Sequence, residues 1–351
     1  MPKNYEMTGD VYLERFAKQE VGEFHLHPPF PEDCMAELTN VCNHECVFCT
    51  NPRMKRKPAH LSLSLFKNFV SEAARHGCKE VGFYSTGEPF VTANLDAFVQ
   101  AAKAAGISYL YISTNGALAT PPRAQKAIEA GLNSIKFSIN AATRESYKLV
   151  HGKDDFEKVL ENVRWIYEYK KKHRLHLRLL GSCVLTRPTE KEKELHREIF
   201  EKYFEDIVYV NASAQAGQAA AEAKIVTPSF HKIEYPPEGA MKPCFMLWKR
   251  AHLTAEGYLT LCCVDYENNL TYARVDDGQD LMTHWHNSVI TEMRKRHLKQ
   301  ELKGTLCHKC FYGGNIPYEP ISGFHFQPEK SSGAGKGRHL QERLDAIQRR
   351  G

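Results

Sequence analysis

The sequence predicts an α/β fold, a partial (β/α)6 TIM-like barrel followed by a smaller, cysteine-rich C-terminal domain. Three observations carry this. Between residues 35 and 211, short β-type runs alternate with longer amphipathic segments, the pattern of βα units that build a parallel sheet. After Asn211 the alternation stops at a small, polar stretch, SAQAGQAAAEAK, and Pro228, Pro236 and Pro237 follow it, as at a domain junction. From Pro243 to about Tyr318 the chain carries spaced cysteines with a hairpin and a helix pattern of its own.

Six strands are predicted, over residues 35–39, 80–84, 109–113, 134–138, 176–185 and 206–211. The segments between them read as helices. Residues 63–76 put Leu65, Phe66, Phe69, Val70, Ala73 and Ala74 on one helical face, and residues 156–172 repeat this with Val159, Leu160, Val163, Ile166 and Tyr167. Gly77, Gly106 and Gly131 fall just past predicted helices, where a left-handed residue ends the turn. Six βα units in succession imply a partial barrel. Farther on, residues 252–264 read as a hairpin around Glu256-Gly257, and 290–302 as a helix. The end is Gly/Ser/Lys-rich, with a weak Leu340/Leu344/Ile347 helical pattern. The predicted divisions are an N-terminal extension at 1–33, a barrel at 34–225, the cysteine-rich domain at 226–325 and a basic flexible tail at 326–351.

Composition narrows the class. The chain has 351 residues, with 42% apolar and 25% charged side chains, which excludes both a disulfide-stapled miniature and global disorder. Mean hydropathy is −0.48. No run approaches the roughly 20 apolar residues that cross a bilayer, and the N-terminus lacks the apolar core of a secretory signal, so a cytoplasmic protein without a membrane partner is expected. The net charge of +5 owes much to residues 328–351, which hold six basic and three acidic side chains. The body is thus near neutral and has no basic stripe interleaved with aromatics, so no nucleic acid partner is expected. The 11 cysteines, without an export signal, point to metal ligands or reactive thiols before disulfides.

Cys42, Cys46 and Cys49 stand four and three residues apart directly after the first predicted strand. Three thiolates in one loop can hold three irons of a [4Fe–4S] cube and leave the fourth open to an external ligand. A zinc site completed by His44 is the alternative. Ser85-Thr86-Gly87-Glu88-Pro89 follows the second strand, Ser113-Thr114-Asn115-Gly116 closes the third and Ser138-Ile139-Asn140 closes the fourth. In a βα barrel the strand ends share one mouth, so these groups converge above the cysteine loop.

With these motifs in register, the chain resembles the radical S-adenosylmethionine (SAM) superfamily from about Cys34 to Asn211. The resemblance implies that Cys42, Cys46 and Cys49 bind a [4Fe–4S] cluster whose open iron is chelated by the amino and carboxylate groups of SAM. Phe48 matches the position that packs on adenine. Gly87, Glu88 and Pro89 match the Gly-Gly-Glu-Pro strip that holds the methionine amino group, with Thr86 in place of the first glycine. Ser113, Asn115 and Ser138 match positions that meet the SAM ribose or carboxylate. The implied chemistry is one-electron cleavage of SAM to a 5′-deoxyadenosyl radical, with an electron from a partner such as flavodoxin or ferredoxin.

A second set comprises Cys244, Cys262, Cys307 and Cys310. Four thiolates can enclose a cube completely, and zinc is again the alternative. The spacing Cys-x12-Gly-x4-Cys, Asp265, the Leu281/Trp285 stretch, Arg294 and the closing Cys-x2-Cys resemble the SPASM/twitch extensions of radical SAM enzymes. No cysteine follows Cys310, so one auxiliary [4Fe–4S] cluster is implied. On a strand, Cys263 would point away from Cys262 and share a face with Asp265, which makes Cys263 a candidate hydrogen-atom donor and Asp265 a candidate proton acceptor. By resemblance to twitch-type dehydrogenases, the expected reaction is oxidation of a hydroxyl-bearing small molecule, a sugar or cyclitol, with the auxiliary cluster as electron acceptor. The alternatives are an epimerase with a cysteine donor, a peptide- or protein-modifying enzyme and, outside catalysis, a zinc or iron–sulfur binding protein.

Overall fold

The structure of the chain, a computed structural model, describes residues 24–314, 316–324 and 338–350. Six parallel strands follow one another in space as they do in sequence: β1 (Asp33–Ala36), β2 (Glu80–Phe83), β3 (Tyr109–Thr114), β4 (Ser134–Ser138), β5 (Arg178–Leu185) and β6 (Asp206–Asn211). The register is regular, with Cys34 beside Val81, Val81 beside Leu110, Ile112 beside Ile135 and Phe137 beside Gly181. Helices α1 (Leu63–Arg75), α2 (Leu95–Ala104), α3 (Pro121–Glu129), α4 (Arg144–His151), α5 (Phe156–His173) and α6 (Lys193–Phe200) fill the crossovers. Each buries one apolar stripe. In α1 the stripe is Phe66, Phe69, Val70 and Ala73, and Phe66 meets Phe83 of β2 at 5.8 Å and Phe98 of α2 at 5.3 Å between ring centroids. A fully buried side chain of this size contributes about 1.5–3 kcal/mol. The predicted helix stops at Gly77, Gly106 and Gly131 all have positive φ, at 97°, 93° and 117°.

The inner face of the sheet is polar at its floor. Asp33 accepts hydrogen bonds from Tyr111 Oη at 2.8 Å and from Arg250 Nε at 2.6 Å, and Arg250 Nη2 reaches Tyr111 Oη at 3.2 Å. The Tyr111 ring lies so close to Gly82 that a Cβ there would sit 2.6 Å from it, so this network closes the bottom of the barrel and leaves the opposite mouth for chemistry.

Two features go beyond the sequence reading. The cysteine-rich segment adds its strands to the barrel sheet. Its β7 (Arg250–Leu253) pairs parallel with β1, and β8 (Tyr258–Thr260) and β9 (Thr271–Arg274) continue antiparallel, giving one nine-stranded sheet in the order β6-β5-β4-β3-β2-β1-β7-β8-β9. An exposed β1 edge would leave a row of unpaired backbone groups, and β7 satisfies them while bringing Arg250 to Asp33. The second feature is at the C-terminus, read as a flexible basic tail. Residues 325–337 of it lie outside the described residues, but α12 (Arg338–Arg350) is a docked helix. Leu340, Leu344 and Ile347 are buried against Val47, Val150, Ala212 and Val226. Helical spacing finds an apolar groove there, and Arg343 donates to the carbonyls of Glu45 at 2.6 Å and Leu149 at 3.3 Å.

The remaining helices are α7 (Ala220–Val226), α8 (Met246–Lys249), α9 (Leu281–Trp285), α10 (Ser288–Lys299) and α11 (Leu306–Tyr312). Arg294 of α10 is fully buried, donating to the carbonyls of Leu26, Leu247 and Trp285 and lying 4.4 Å over the Trp285 ring. It thereby ties the C-terminal segment to the chain that leads into β1. No helix among the described residues is long and apolar enough to cross a membrane.

Candidate active site

The loop after β1 carries Cys42, Cys46 and Cys49, and the three sulfurs lie within one another's electrostatic reach. All three are half-buried. Burial, with the Glu88 carboxylate beside it, pushes the Cys42 thiol up to about 12, and burial likewise raises Cys46 and Cys49. Such thiols give up protons only to something that binds thiolate, so loading an electrophile here releases protons. Several donors already face the sulfurs. The amides of His44 and Asn51 approach Cys42 Sγ and Cys49 Sγ at 3.4 Å each, and Tyr266 Oη lies 3.5 Å from Cys49 Sγ. His151 lies 3.4 Å from Cys46 Sγ through Nδ1, while its Nε2 takes the Asn140 amide at 3.1 Å. An amide only donates, so the proton of the neutral ring sits on Nδ1 and points at Cys46.

The ends of β2, β3 and β4 meet this loop. A Cβ on Gly87 would lie 2.2 Å from the Thr39 carbonyl, so only glycine permits the strip to press against the start of the cysteine loop. The Glu88 amide seals that contact by donating to Val41 O at 2.9 Å. Glu88 spends both carboxylate oxygens on protein, accepting from Phe90 N and Thr114 Oγ1 on one and from Asn115 N at 2.8 Å on the other. Its role is to clamp the strip to the end of β3, and Pro89 is buried beneath it. Thr86 turns inward and hydrogen-bonds Glu37, which is paired with Arg56, which in turn holds Glu256 after β7. Asn115 donates to Asn43 at 2.8 Å and sits 4.0 Å from Cys42 Sγ. Ser138 accepts from Asn140 Nδ2 at 3.4 Å, Ser113 is half-buried at the end of β3, and Phe48 is half-buried against the apolar cluster under α12.

Cys244, Cys262, Cys307 and Cys310 line one small, otherwise apolar cavity, together with His297 and Phe311. Burial pushes Cys244 up to about 12 and Cys310 up to about 11. The alternation argument for Cys263 does not hold, because β8 ends at Thr260 and Cys262-Cys263 lie in the turn beyond it. The two thiols touch, and the Cys262 thiol together with the His252 ring holds Cys263 well below the ordinary thiol range. Cys263 also faces Tyr84 and Tyr266, and Ser85 Oγ donates to its carbonyl at 3.4 Å. Burial raises the Asp265 carboxyl above the usual carboxylate range. Its carboxylate accepts from Asn269 N, Leu270 N and Thr260 Oγ1 within its own turn, at 2.7, 2.7 and 2.9 Å, and the side chain is buried. Among the described residues no three His, Cys, Asp or Glu side chains gather about a point as a single metal ion requires.

Against known families, residues 36–199 match the radical SAM superfamily, and residues 244–311 match SPASM, an iron–sulfur cluster-binding domain. The chain carries a radical SAM domain. Its radical SAM and SPASM domains imply [4Fe–4S] clusters and SAM, and the donor sets fit: a three-thiol loop with a polar rim at the barrel mouth, and a four-thiol cavity open at Cys310. A probable GTP 3′,8-cyclase of Saccharolobus islandicus is 31% identical over 140 residues, covering 38% of this chain and 42% of that protein. A second, from Metallosphaera sedula, is 32% identical over the same shares. The radical SAM chain thus aligns with less than half the length of these curated relatives. Among solved structures, BtrN in complex with AdoMet and 2-DOIA is 17% identical with a TM-score of 0.52, covering 84% of this chain and 98% of that one. Streptococcus suis SuiB bound to precursor peptide SuiA is 14% identical with a TM-score of 0.60, over 76% and 67%. Native anSMEcpe with bound AdoMet is 14% identical with a TM-score of 0.57, over 91% and 100%. These likenesses concern the fold.

Four residues beside the two thiol sets escaped sequence reasoning: His151, Tyr266 and Arg343 at the first and His297 at the second. Each reaches a thiol or a thiol-bearing loop from a distant part of the chain, and none sits in a local motif.

Proposed function

We propose that this radical SAM enzyme oxidises a hydroxyl-bearing small molecule, a sugar or cyclitol, and that electrons leave through the second thiol set. Bound at the two thiol sets, SAM and the clusters would supply a hydrogen-atom abstraction and a sink for the electron that the substrate radical must lose. One observation carries the reading. Tyr266 neighbours both Cys49 and Cys263, and Cys263 in turn neighbours Cys244 and Cys310, so two residues separate the three-thiol loop from the four-thiol cavity. A substrate over the barrel mouth is therefore close to both sets. The chain's own residues hold the reaction geometry: the Gly87–Pro89 strip clamped by Glu88 orients SAM, Asn115 and Ser138 offer polar contacts at the strand ends, and the floor network of Asp33, Tyr111 and Arg250 excludes water from below. The fold neighbour BtrN, whose complex holds AdoMet and 2-DOIA, supports a small polar substrate, whereas SuiB and its precursor peptide represent the competing class.

A second reading rests on Cys263, whose thiol faces Tyr84 and Tyr266, as a hydrogen-atom donor in an epimerisation. Anaerobically reconstituted protein with SAM and dithionite, incubated in deuterated water with cyclitol, amino-sugar and peptide panels, separates the outcomes. The expected result is a ketone formed in step with 5′-deoxyadenosine and without deuterium. An inverted product carrying one deuterium would support the epimerase instead, and turnover confined to peptides would overturn both.

A further inference from the structure

Among the buried polar atoms that have no partner in the described residues, one faces the second thiol set. His297 of α10 is 0% exposed and lines the cavity formed by Cys244, Cys262, Cys307 and Cys310. Its Nδ1 receives the backbone amide of Cys244 at 3.4 Å. Since that amide is a donor, Nδ1 must be the bare nitrogen and the proton of the neutral ring is fixed on Nε2. Nε2 has no hydrogen-bond partner among the described residues. Its nearest aromatic neighbour, Phe311, stands edge-on with centroids 5.5 Å apart and offers no acceptor. Leaving a buried N–H unpaired costs about 1–3 kcal/mol, and among the side chains that line this cavity the groups able to accept are the thiol sulfurs.

We propose that His297 donates its Nε2–H to a sulfur of the auxiliary [4Fe–4S] cluster, and so raises the reduction potential of that cluster and makes it a better electron acceptor. The proposal rests on the assignment of the four cysteines to that cluster. A hydrogen bond to a cluster sulfur stabilises the more negative, reduced state, which is the state that must form when an electron leaves the substrate. His297 is thus a positioning residue that acts through the cluster.

The test begins with the wild-type holoenzyme labelled with 15N-histidine. Iron analysis must first find about eight irons per chain; only four would remove the cluster assignment itself and the proposal with it. Adding SAM identifies the signal of the SAM-binding cluster, because only that signal shifts. Pulsed EPR on the other, SAM-insensitive cluster is then expected to find a weak 15N coupling. Its absence in fully loaded protein overturns the proposal. His297→Phe and His297→Gln add a functional readout. In His297→Phe the auxiliary midpoint is expected to fall by roughly the 59 mV that corresponds to a tenfold change in a one-electron equilibrium. The SAM-binding cluster should keep its potential, and His297→Gln, which retains a donor, should recover most of the shift. A loaded His297→Phe protein with an unshifted auxiliary midpoint would also overturn it. If the phenylalanine variant does not load, loss of the 15N coupling in His297→Gln supports the proposal and its persistence refutes it.

Discussion

Gly87 illustrates how much of this site depends on the absence of a side chain. The Thr39 carbonyl occupies the space a Cβ would need, and both partners are backbone, so neither can swing aside. In Gly87→Ala the strip must lift away from the cysteine loop, and SAM affinity is expected to fall at least about tenfold, about 1.4 kcal/mol, in equilibrium binding to reconstituted protein. Unchanged affinity would show that the strip does not position SAM. That Cys42, Cys46 and Cys49 share one loop was legible in their spacing, and so was the pairing of Cys307 with Cys310. His151, Tyr266 and Arg343 were not, since their sulfur and carbonyl partners lie 105, 217 and 298 positions away. The three donors that hold the Asp265 carboxylate were not legible either, because a carboxylate beside a cysteine in sequence says nothing about the turn that folds around it.

At the scale of elements, the parallel strands were readable because each is a short apolar run bounded by turn residues, and four of the six predicted starts coincide with those observed. The terminal helix was legible as a weak Leu340/Leu344/Ile347 pattern, but its docking was not, because the groove that receives this narrow stripe exists only in the folded molecule. That groove adjoins the loop of Cys46. Leu344 is 3% exposed, and Leu344→Ala removes contacts worth about 2–5 kcal/mol in a rigid site. The expected outcome is release of α12, seen as rapid proteolytic cleavage within residues 338–350, together with faster bleaching of the SAM-binding cluster in air. Loss of the helix with unaltered bleaching would mean that α12 does not shield the loop.

At the scale of the whole molecule, buried histidines set an acid limit on stability. His196 lies between Ile139 O at 2.9 Å and Tyr209 Oη at 3.0 Å, and burial lowers its pKa from 6.5 to about 4. The unfolded chain therefore takes up this proton first as pH falls. The stability contributed by the neutral ring is complete above pH 6.5 and is lost between 6.5 and about 4, at roughly 1.4 kcal/mol per pH unit. In denaturant unfolding of the loaded, anaerobic protein, the stability gap between wild type and His196→Phe should narrow across that interval. A gap independent of pH would mean that His196 titrates normally.

The pairing of β1 with β7 joins Asp33 to Arg250 across most of the chain. During synthesis, the first strand emerges long before the partner that covers its edge, and the β1 edge waits unpaired for more than 200 residues of translation. The helix that covers the Cys46 loop arrives later still, after β7 and the second thiol set. Until then a nascent chain exposes a sticky sheet edge and bare thiols together, and metal insertion would have to act on a structure that is open on both counts. The order in which the ribosome delivers these parts favours cluster assembly after α12 has been made, when one late strand and one late helix close the same molecule.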